Sequence, residues 1–371
     1  MMFSRHYRFP AIRPVLPPPS RWLPYLDASY NAGWFSNFGP LVCEFEAALT
    51  DTFCRAGEAM ISANSCTSGI TAALIASDVE GPVLLPAFSF PATLSAAVMA
   101  GAEPHVLDVE LDTWLLDPAA LENALRSCRC GAVVLVMPFG IAANYQTHAE
   151  ICLHYGVPLI IDNAAGLGAD RPTLPDGCFE VFSMHATKPF AIGEGGAICS
   201  STNFATALRR ALNFGLERGV ERHGAWGING KLPEISAAVG LAALEEFASV
   251  ITRRQLIAVR YAQLIGRFEE ISCRQDIKAA PWQVFPVVLP SAAVAETFVQ
   301  TAGANGLEIR RAYRPTLDRW PRARARELCL NARSLSDRIV CLPIYSDMTE
   351  HEAAEILSIV GATLHRILAL K

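Results

Sequence analysis

Residues 132–162 read AVVLVMPFGIAANYQTHAEICLHYGVPLIID, and this stretch decides the fold. AVVLVMP at 132–138 is a continuous apolar run rather than an alternating one, which predicts a strand buried on both faces. VPLIID at 157–162 is a second such run, and the segment at 145–155 between them has the length and pattern of a helix. Working outward, PHVLDV at 104–109 and PVLLP at 82–86 read as further strands. Helices are expected at 91–100 and, behind the capping residue Asp117, at 117–125. Strands and helices that alternate in this way predict an α/β protein with a mostly parallel central sheet and helices on both faces.

Beyond residue 170 the pattern changes. FEVFSM at 179–184 and GGAICS at 195–200 read as two short strands with no helix between them. A long helical stretch from 233 to 268 follows; it is expected to break near its middle and bridge into a second unit. The remainder offers a strand in WQVFPVVLP, a helix at 291–305 and a terminal helix at 349–369, which suggests a smaller C-terminal α+β domain. Residues 1–24, ending in PVLPPPSRWLP, are proline-rich and read as an irregular arm. The expected division is an arm at 1–24, a large domain at 25–245 and a small domain at 246–371.

Composition narrows the function. Hydrophobic residues make up 51% of the 371 and charged residues 18%, so a sizeable core is available and disorder is not expected. The net charge of −5 comes from interspersed signs, with no basic stripe to suit nucleic acid. The eleven cysteines are scattered and odd in number, and the pair Cys128 and Cys130 fits neither a zinc knuckle nor a redox CxxC. They read as free thiols of a cytoplasmic protein, and no metal site is expected. The N-terminus has no apolar core of a secretion signal, and no uncharged stretch reaches membrane-spanning length.

Three segments carry candidate chemistry. Asp162 ends an apolar strand, where open parallel sheets bind their ligands, although an Asp there more often just caps the next element. Lys188 in FSMHATKPFAIGEGG follows a strand and precedes a glycine-rich turn. A lysine that condenses with an aldehyde must shed its proton, and partial burial favours that; an exposed loop lysine is the common alternative. In ISANSCTSGITAAL, Thr67 and Ser68 open a helix whose amides suit a phosphate, or serve only as caps. Taken in order, a phosphate cradle, an aromatic strand end at Phe88 and Phe90, an acid and a lysine follow the sequence of parts in a pyridoxal 5'-phosphate site. The acid keeps the pyridine nitrogen protonated and the lysine carries the cofactor as a Schiff base.

The same residues resemble the DegT-type sugar-nucleotide aminotransferases, a branch of the fold-type I pyridoxal-phosphate enzymes, from about residue 22 to the C-terminus. GWFSNFGP at 33–40 is similar to the opening substrate-side motif, here with Phe35. SCTSG matches the phosphate segment, which implies Thr67 and Ser68 on the phosphate, and PAFSFPAT implies Phe90 on the ring. IIDNAAG supplies Asp162, and FSMHATK supplies Ser183 for phosphate and Lys188 for the cofactor carbon. GINGKLPEISAAVG implies that Asn229 reaches the phosphate of a neighbouring subunit, hence a homodimer with shared sites. AYRPTL at 312–317 and LPIYSDMT at 342–349 resemble C-terminal landmarks, which brings Tyr313 and Arg314 in as substrate candidates, with His185 beside the lysine. Where many members carry glutamine three residues after the aspartate, this chain has Ala165, and Cys66 stands at a usual glycine or alanine.

The resemblance implies a transaminase that moves an amino group from an amino acid, glutamate being the expected donor, to a keto group of a nucleotide-linked sugar. Ala165 motivates an alternative acceptor, a cyclitol or other small ketone. A catalytically silent regulatory relative is the third reading, and Asp162 and Lys188 together argue against it. No nucleic acid or membrane partner is expected.

Overall fold

The computed structural model describes residues 7–142, 144–217, 226–273 and 280–369. Its main sheet is built from β1 (Glu58–Ala63), β2 (Val83–Pro86), β3 (Pro104–Leu107), β4 (Ala132–Val136), β5 (Leu159–Asp162), β6 (Cys178–Ser183) and β7 (Gly196–Ser201), with a short eighth member described below. The spatial order is β1-β7-β6-β5-β4-β2-β3, then the added strand. β7 runs antiparallel to both neighbours and the other pairs are parallel, so β1, β2, β3, β4, β5 and β6 all end on one edge. Alternate residues of each strand feed two different cores. Leu85, Val134 and Ile160 join one cluster, while Leu84, Val133, Leu135 and Ile161 join the other. Burial on both faces is why these strands read as unbroken apolar runs.

Helices α1 (Pro19–Ala32), α2 (Pro40–Phe53), α3 (Cys66–Ala76), α4 (Pro91–Met99), α5 (Pro118–Ser127), α6 (Gln146–Tyr155) and α7 (Ala205–Leu212) cover the sheet. Asp117 caps α5 as expected, accepting from the amides of Ala119 and Ala120 at 2.8 and 3.4 Å. Two features of the N-terminal segment depart from the irregular, unpacked arm expected over 1–24. Its residues 1–6 lie outside the described residues, and from Pro19 onward the chain is helical, because Pro18 and Pro19 preset the backbone for a helix start. Upstream of that, Phe9 is buried and exchanges backbone hydrogen bonds with Gly306 and Glu308, so the arm packs along the C-terminal unit.

Helix α8 (Glu234–Ile265) runs unbroken for 32 residues, which corrects the break expected near its middle. It contains no proline, and its glycine, Gly240, serves close packing: a Cβ there would lie 2.5 Å from the Phe45 ring. Its first half places Ala237, Ala238, Leu241 and Phe247 in one core, and its second half places Ile257, Ala258, Tyr261 and Ile265 in the other. One rod therefore spans the expected domain boundary at 245. By length and composition this helix is also apolar enough to cross a membrane, but here both halves are spent on the protein core. At its start, the buried Glu234 carboxylate accepts from the amides of Leu41 and Val42 at 2.7 and 3.1 Å and caps the start of α2.

The C-terminal unit holds a three-stranded antiparallel sheet of β8 (Ser272–Cys273), β9 (Val284–Val288) and β11 (Ile339–Pro343), with α9 (Ala292–Ala304), α10 (Leu330–Arg338) and α11 (Glu350–Leu368). Between them β10 (Arg324–Ala325) reaches back and pairs with β3 of the large sheet. At the opposite edge, the outward amides of β1 are taken by α2 and the turn before it. Met60 donates to Thr50 Oγ1 at 3.0 Å, Ser62 to Glu46 Oε1 at 2.9 Å, and Glu58 to the Arg55 carbonyl at 3.0 Å. Gly240→Ala is expected to destabilise the protein by about 1–3 kcal/mol through overpacking against Phe45; a denaturant midpoint that does not move would show that α8 can shift away from α2.

Candidate active site

The edge where those six strands end carries several of the candidate residues. Asp162 is the last residue of β5 and is buried. Its Oδ2 accepts from Thr93 Oγ1 at 2.7 Å and its Oδ1 from the Ala164 amide at 3.2 Å, with Cys66 Sγ 3.9 Å away. Burial pushes the carboxyl up, while Thr93 and the charge of Lys188 hold it down. Thr93 is itself fixed by Ser89, whose hydroxyl lies 2.7 Å from its own. The pair comes from the β2–α4 junction, so that junction acts as a support for the acid.

Lys188 lies on the loop after β6. Its Nζ donates to Gln283 Oε1 at 3.0 Å, and burial lowers its pKa while Cys66 and Asp162 raise it. The acid and the amine are thus desolvated together, each favouring the other's charged form. The loop is shaped by His185: its carbonyl accepts from the Lys188 amide at 2.8 Å, and its Nδ1 lies 2.8 Å from Thr187 Oγ1. The other ring nitrogen faces Glu194 at 3.5 Å. His185 therefore organises the turn that presents the lysine.

Ser65, which sequence reasoning passed over, is the N-cap of α3 and accepts from the Ser68 amide at 3.1 Å. The Ser68 hydroxyl is tied to Ser65 at 3.0 Å, while the Thr67 hydroxyl has no hydrogen-bond partner among the described residues. Gly196 on β7 lets the backbone close on this helix start, since a Cβ there would fall 2.7 Å from the Cys66 nitrogen. Ser183 is buried and accepts from the His185 amide at 3.3 Å.

The aromatic residues divide. Phe88 is fully buried, edge-on to Tyr313 with centroids 5.0 Å apart, and Tyr313 stacks on Phe139 at 5.5 Å. Phe90, the N-cap of α4, is 54% exposed, in contrast to the buried Phe88. Burial, and to a smaller extent Asp162, push the Tyr313 hydroxyl up, which brings that residue into the surroundings of the acid. Phe35 and Arg314 bond to neither Asp162 nor Lys188. Phe35 is exposed and lies edge-on to Tyr30, and Arg314 faces Asp337 at 3.4 Å. Asn229 is exposed; its Oδ1 accepts from Lys231 Nζ at 2.8 Å and its carbonyl from Asn64 at 3.0 Å.

Sequence reasoning did not single out Ser65, Thr93 or Gln283. Thr93 sits inside the quoted PAFSFPAT motif, one helical turn after Ser89, so its signal was spacing. Gln283 lies in a strand segment and offered none. A cluster of Cys54, Glu58 and Cys199 has ligand types suited to a metal, but Arg171 fills it, donating to Glu58 and, at 3.2 Å, to Cys199 Sγ.

The family model described as the DegT/DnrJ/EryC1/StrS aminotransferase family matches residues 20–361. The chain belongs to this family. A dTDP-4-amino-4,6-dideoxy-D-glucose transaminase from Shigella dysenteriae is 29% identical over 370 residues, covering 96% of this chain and 98% of that one. Two solved structures superpose with a TM-score of 0.87 at 26% identity: a Bacillus cereus ATCC 10987 protein assigned as a PLP-dependent aminotransferase, and DesI in the presence of its TDP-sugar product. They cover 95% and 98% of this chain, and the chain covers 99% and 96% of theirs. The expected α/β architecture and the expected aminotransferase activity are both borne out.

For this aminotransferase, the raised Asp162 pKa has a consequence for the protein alone. A carboxyl whose folded pKa lies above its unfolded value contributes stability at low pH that is lost as pH rises through the folded pKa. Thr93→Val removes a hydrogen bond to the charged form, worth about 1.5–3 kcal/mol. The variant without cofactor is expected to be less stable than wild type at neutral pH, with the gap closing as pH falls toward the unfolded value of about 3.9. Denaturant titrations at several pH values check this, and a gap independent of pH would sever Thr93 from Asp162.

Proposed function

We propose that this aminotransferase carries pyridoxal phosphate on Lys188 and moves an amino group from glutamate to the keto group of a nucleotide-linked sugar. The observation that carries the reading is one buried acid and one desolvated amine, each biased by the other's charge, at the carboxyl edge of the sheet. The residues present fit the cofactor. The start of α3 offers amides and the Thr67 hydroxyl, and Gly196 keeps a side chain out of that corner. Ser68 and Ser183 would complete the phosphate contacts, and Phe90 would supply the flat apolar face.

When bound, the cofactor supplies an aldehyde carbon for the amino group and a ring that takes up an electron pair. Asp162, whose anion Thr93 and the Ala164 amide favour against burial, would hold a proton on the pyridine nitrogen. With the cofactor in place, Lys188 Nζ would be the base that takes the proton from the donor's α-carbon and the acid that returns it. Its lowered pKa favours the neutral amine that such a base needs. Tyr313, Arg314, His185 and Phe35 are the proposed residues of the acceptor side. The acceptor class rests on the name of the Shigella relative and on the sugar product seen with DesI. All eleven cysteines are free thiols, which supports a cytoplasmic setting.

The experiment is reduction of the purified holoenzyme with borohydride followed by peptide mapping. A pyridoxyl group on Lys188 is expected; one on another lysine ends the assignment. Glutamate should then convert the holoenzyme to the pyridoxamine form, and among keto sugars, cyclitols and small ketones only nucleotide-linked sugars should restore the starting spectrum. A homodimer with shared sites is also proposed, because the exposed Asn229 side chain is available to a neighbour. Mixed dimers of Lys188→Ala and Asn229→Leu chains, each inactive alone, are expected to regain activity by pairing one intact site; no recovery would place each site within a single chain.

A further inference from the structure

Gln283 grips Lys188 at two points. Its Oε1 accepts from the lysine Nζ at 3.0 Å, and its Nε2 donates to the carbonyl of Thr187, the peptide just before the lysine, at 3.2 Å. The glutamine does not belong to the large sheet. It stands immediately before β9 of the C-terminal unit, so the contact joins the two halves of the molecule.

The backbone at this point is held at some cost. Trp282 is fully buried and adopts φ +53°, the left-handed region that a bulky residue avoids. Arg254 from α8 is buried beneath it and donates to the carbonyls of Trp282, Gln283 and Ile344 at 2.8, 3.4 and 3.1 Å, and to Ser346 Oγ at 3.0 Å. It bonds to no carboxylate among the described residues, and burial lowers its guanidinium to about 10. A buried cation serving main-chain carbonyls and a strained tryptophan both constrain the one residue whose side chain meets the lysine.

We propose that Gln283 is a positioning residue that receives the Lys188 amine whenever it is not bonded to the cofactor and keeps it within reach of the reacting carbon. The proposal rests on the reading that Lys188 carries the cofactor. A neutral amide oxygen suits the task, since it accepts an N–H from either protonation state of an amine that must act in turn as base and acid. A carboxylate in the same place would pin the ammonium form. The other titratable groups facing the amine are Asp162 from the end of β5 and Cys66 from the start of α3. His185 on the lysine's own loop is engaged with Thr187 and Glu194.

The test uses Gln283→Glu and Gln283→Leu and follows uptake of pyridoxal phosphate by the apoenzyme as a function of pH, read from the visible absorption band. Only the neutral amine attacks the aldehyde, so the acid limb of the rate reports the Lys188 pKa. The glutamate variant is expected to move that limb up by about 1–3 pH units, and the leucine variant to move it down. In the donor half-reaction the leucine variant is expected to lose on the order of 10²-fold in kcat with donor KM little changed. Its isotope effect with α-deuterated donor should rise. Should the leucine variant not fold, the isosteric glutamate variant decides alone. If the variants bind cofactor on Lys188 with the wild-type pH curve, Gln283 has no hold on the amine and the proposal is overturned. A Lys188→Ala protein that still bonds the cofactor would instead overturn the reading beneath it.

Discussion

Removing water from a carboxylate and an ammonium side by side is the constraint on which the rest depends. Either group alone in that pocket would neutralise itself, because desolvation raises an acid and lowers an amine. Together they moderate each other: Lys188 holds Asp162 down, Asp162 holds Lys188 up, and Thr93 adds a donor that only the anion uses fully. Burial still has the larger say, so the acid stands above its ordinary value and the amine below its own.

The fold supplies that pair through direction. Six strands that end on one edge bring the acid, the start of α3 and the lysine loop together from segments far apart in sequence. The two-core arrangement of the sheet then lets both faces be covered, so the edge is the place left for chemistry. Helix α8 adds the second half of the enclosure. Its early turns are fixed to α2 through Glu234 and its later turns carry Arg254, so the segment that meets Lys188 from the C-terminal unit hangs from the same rod.

Much of this was legible. Continuous apolar runs announced buried parallel strands, and Asp117 announced its helix, because both signals are local. Asp162 and Lys188 were readable as a combination, since each follows a strand whose own pattern was clear. What escaped depends on three dimensions. Gln283 has no sequence mark, because its role exists only once β9 is set against the β6 loop. The unbroken course of α8 escaped because the expected passage between two units suggested a break, whereas one helix serves both cores and packs Gly240 against the ring of Phe45. The helical start at Pro19 escaped because a proline run reads as irregular, although proline also suits a first helical turn. Arg314, a candidate through the segment AYRPTL, faces Asp337 here, a pairing that the segment alone does not show.

The treatment of the two sheet borders has a further consequence. A bare strand at a border offers its main-chain groups to any passing chain, which is how sheets join and aggregate. Here side chains of α2 and the preceding turn take the outward amides of β1, and β10 lies along β3. Both borders of the large sheet are thus covered along part of their length, and a strand from another molecule would find few free main-chain groups on β1.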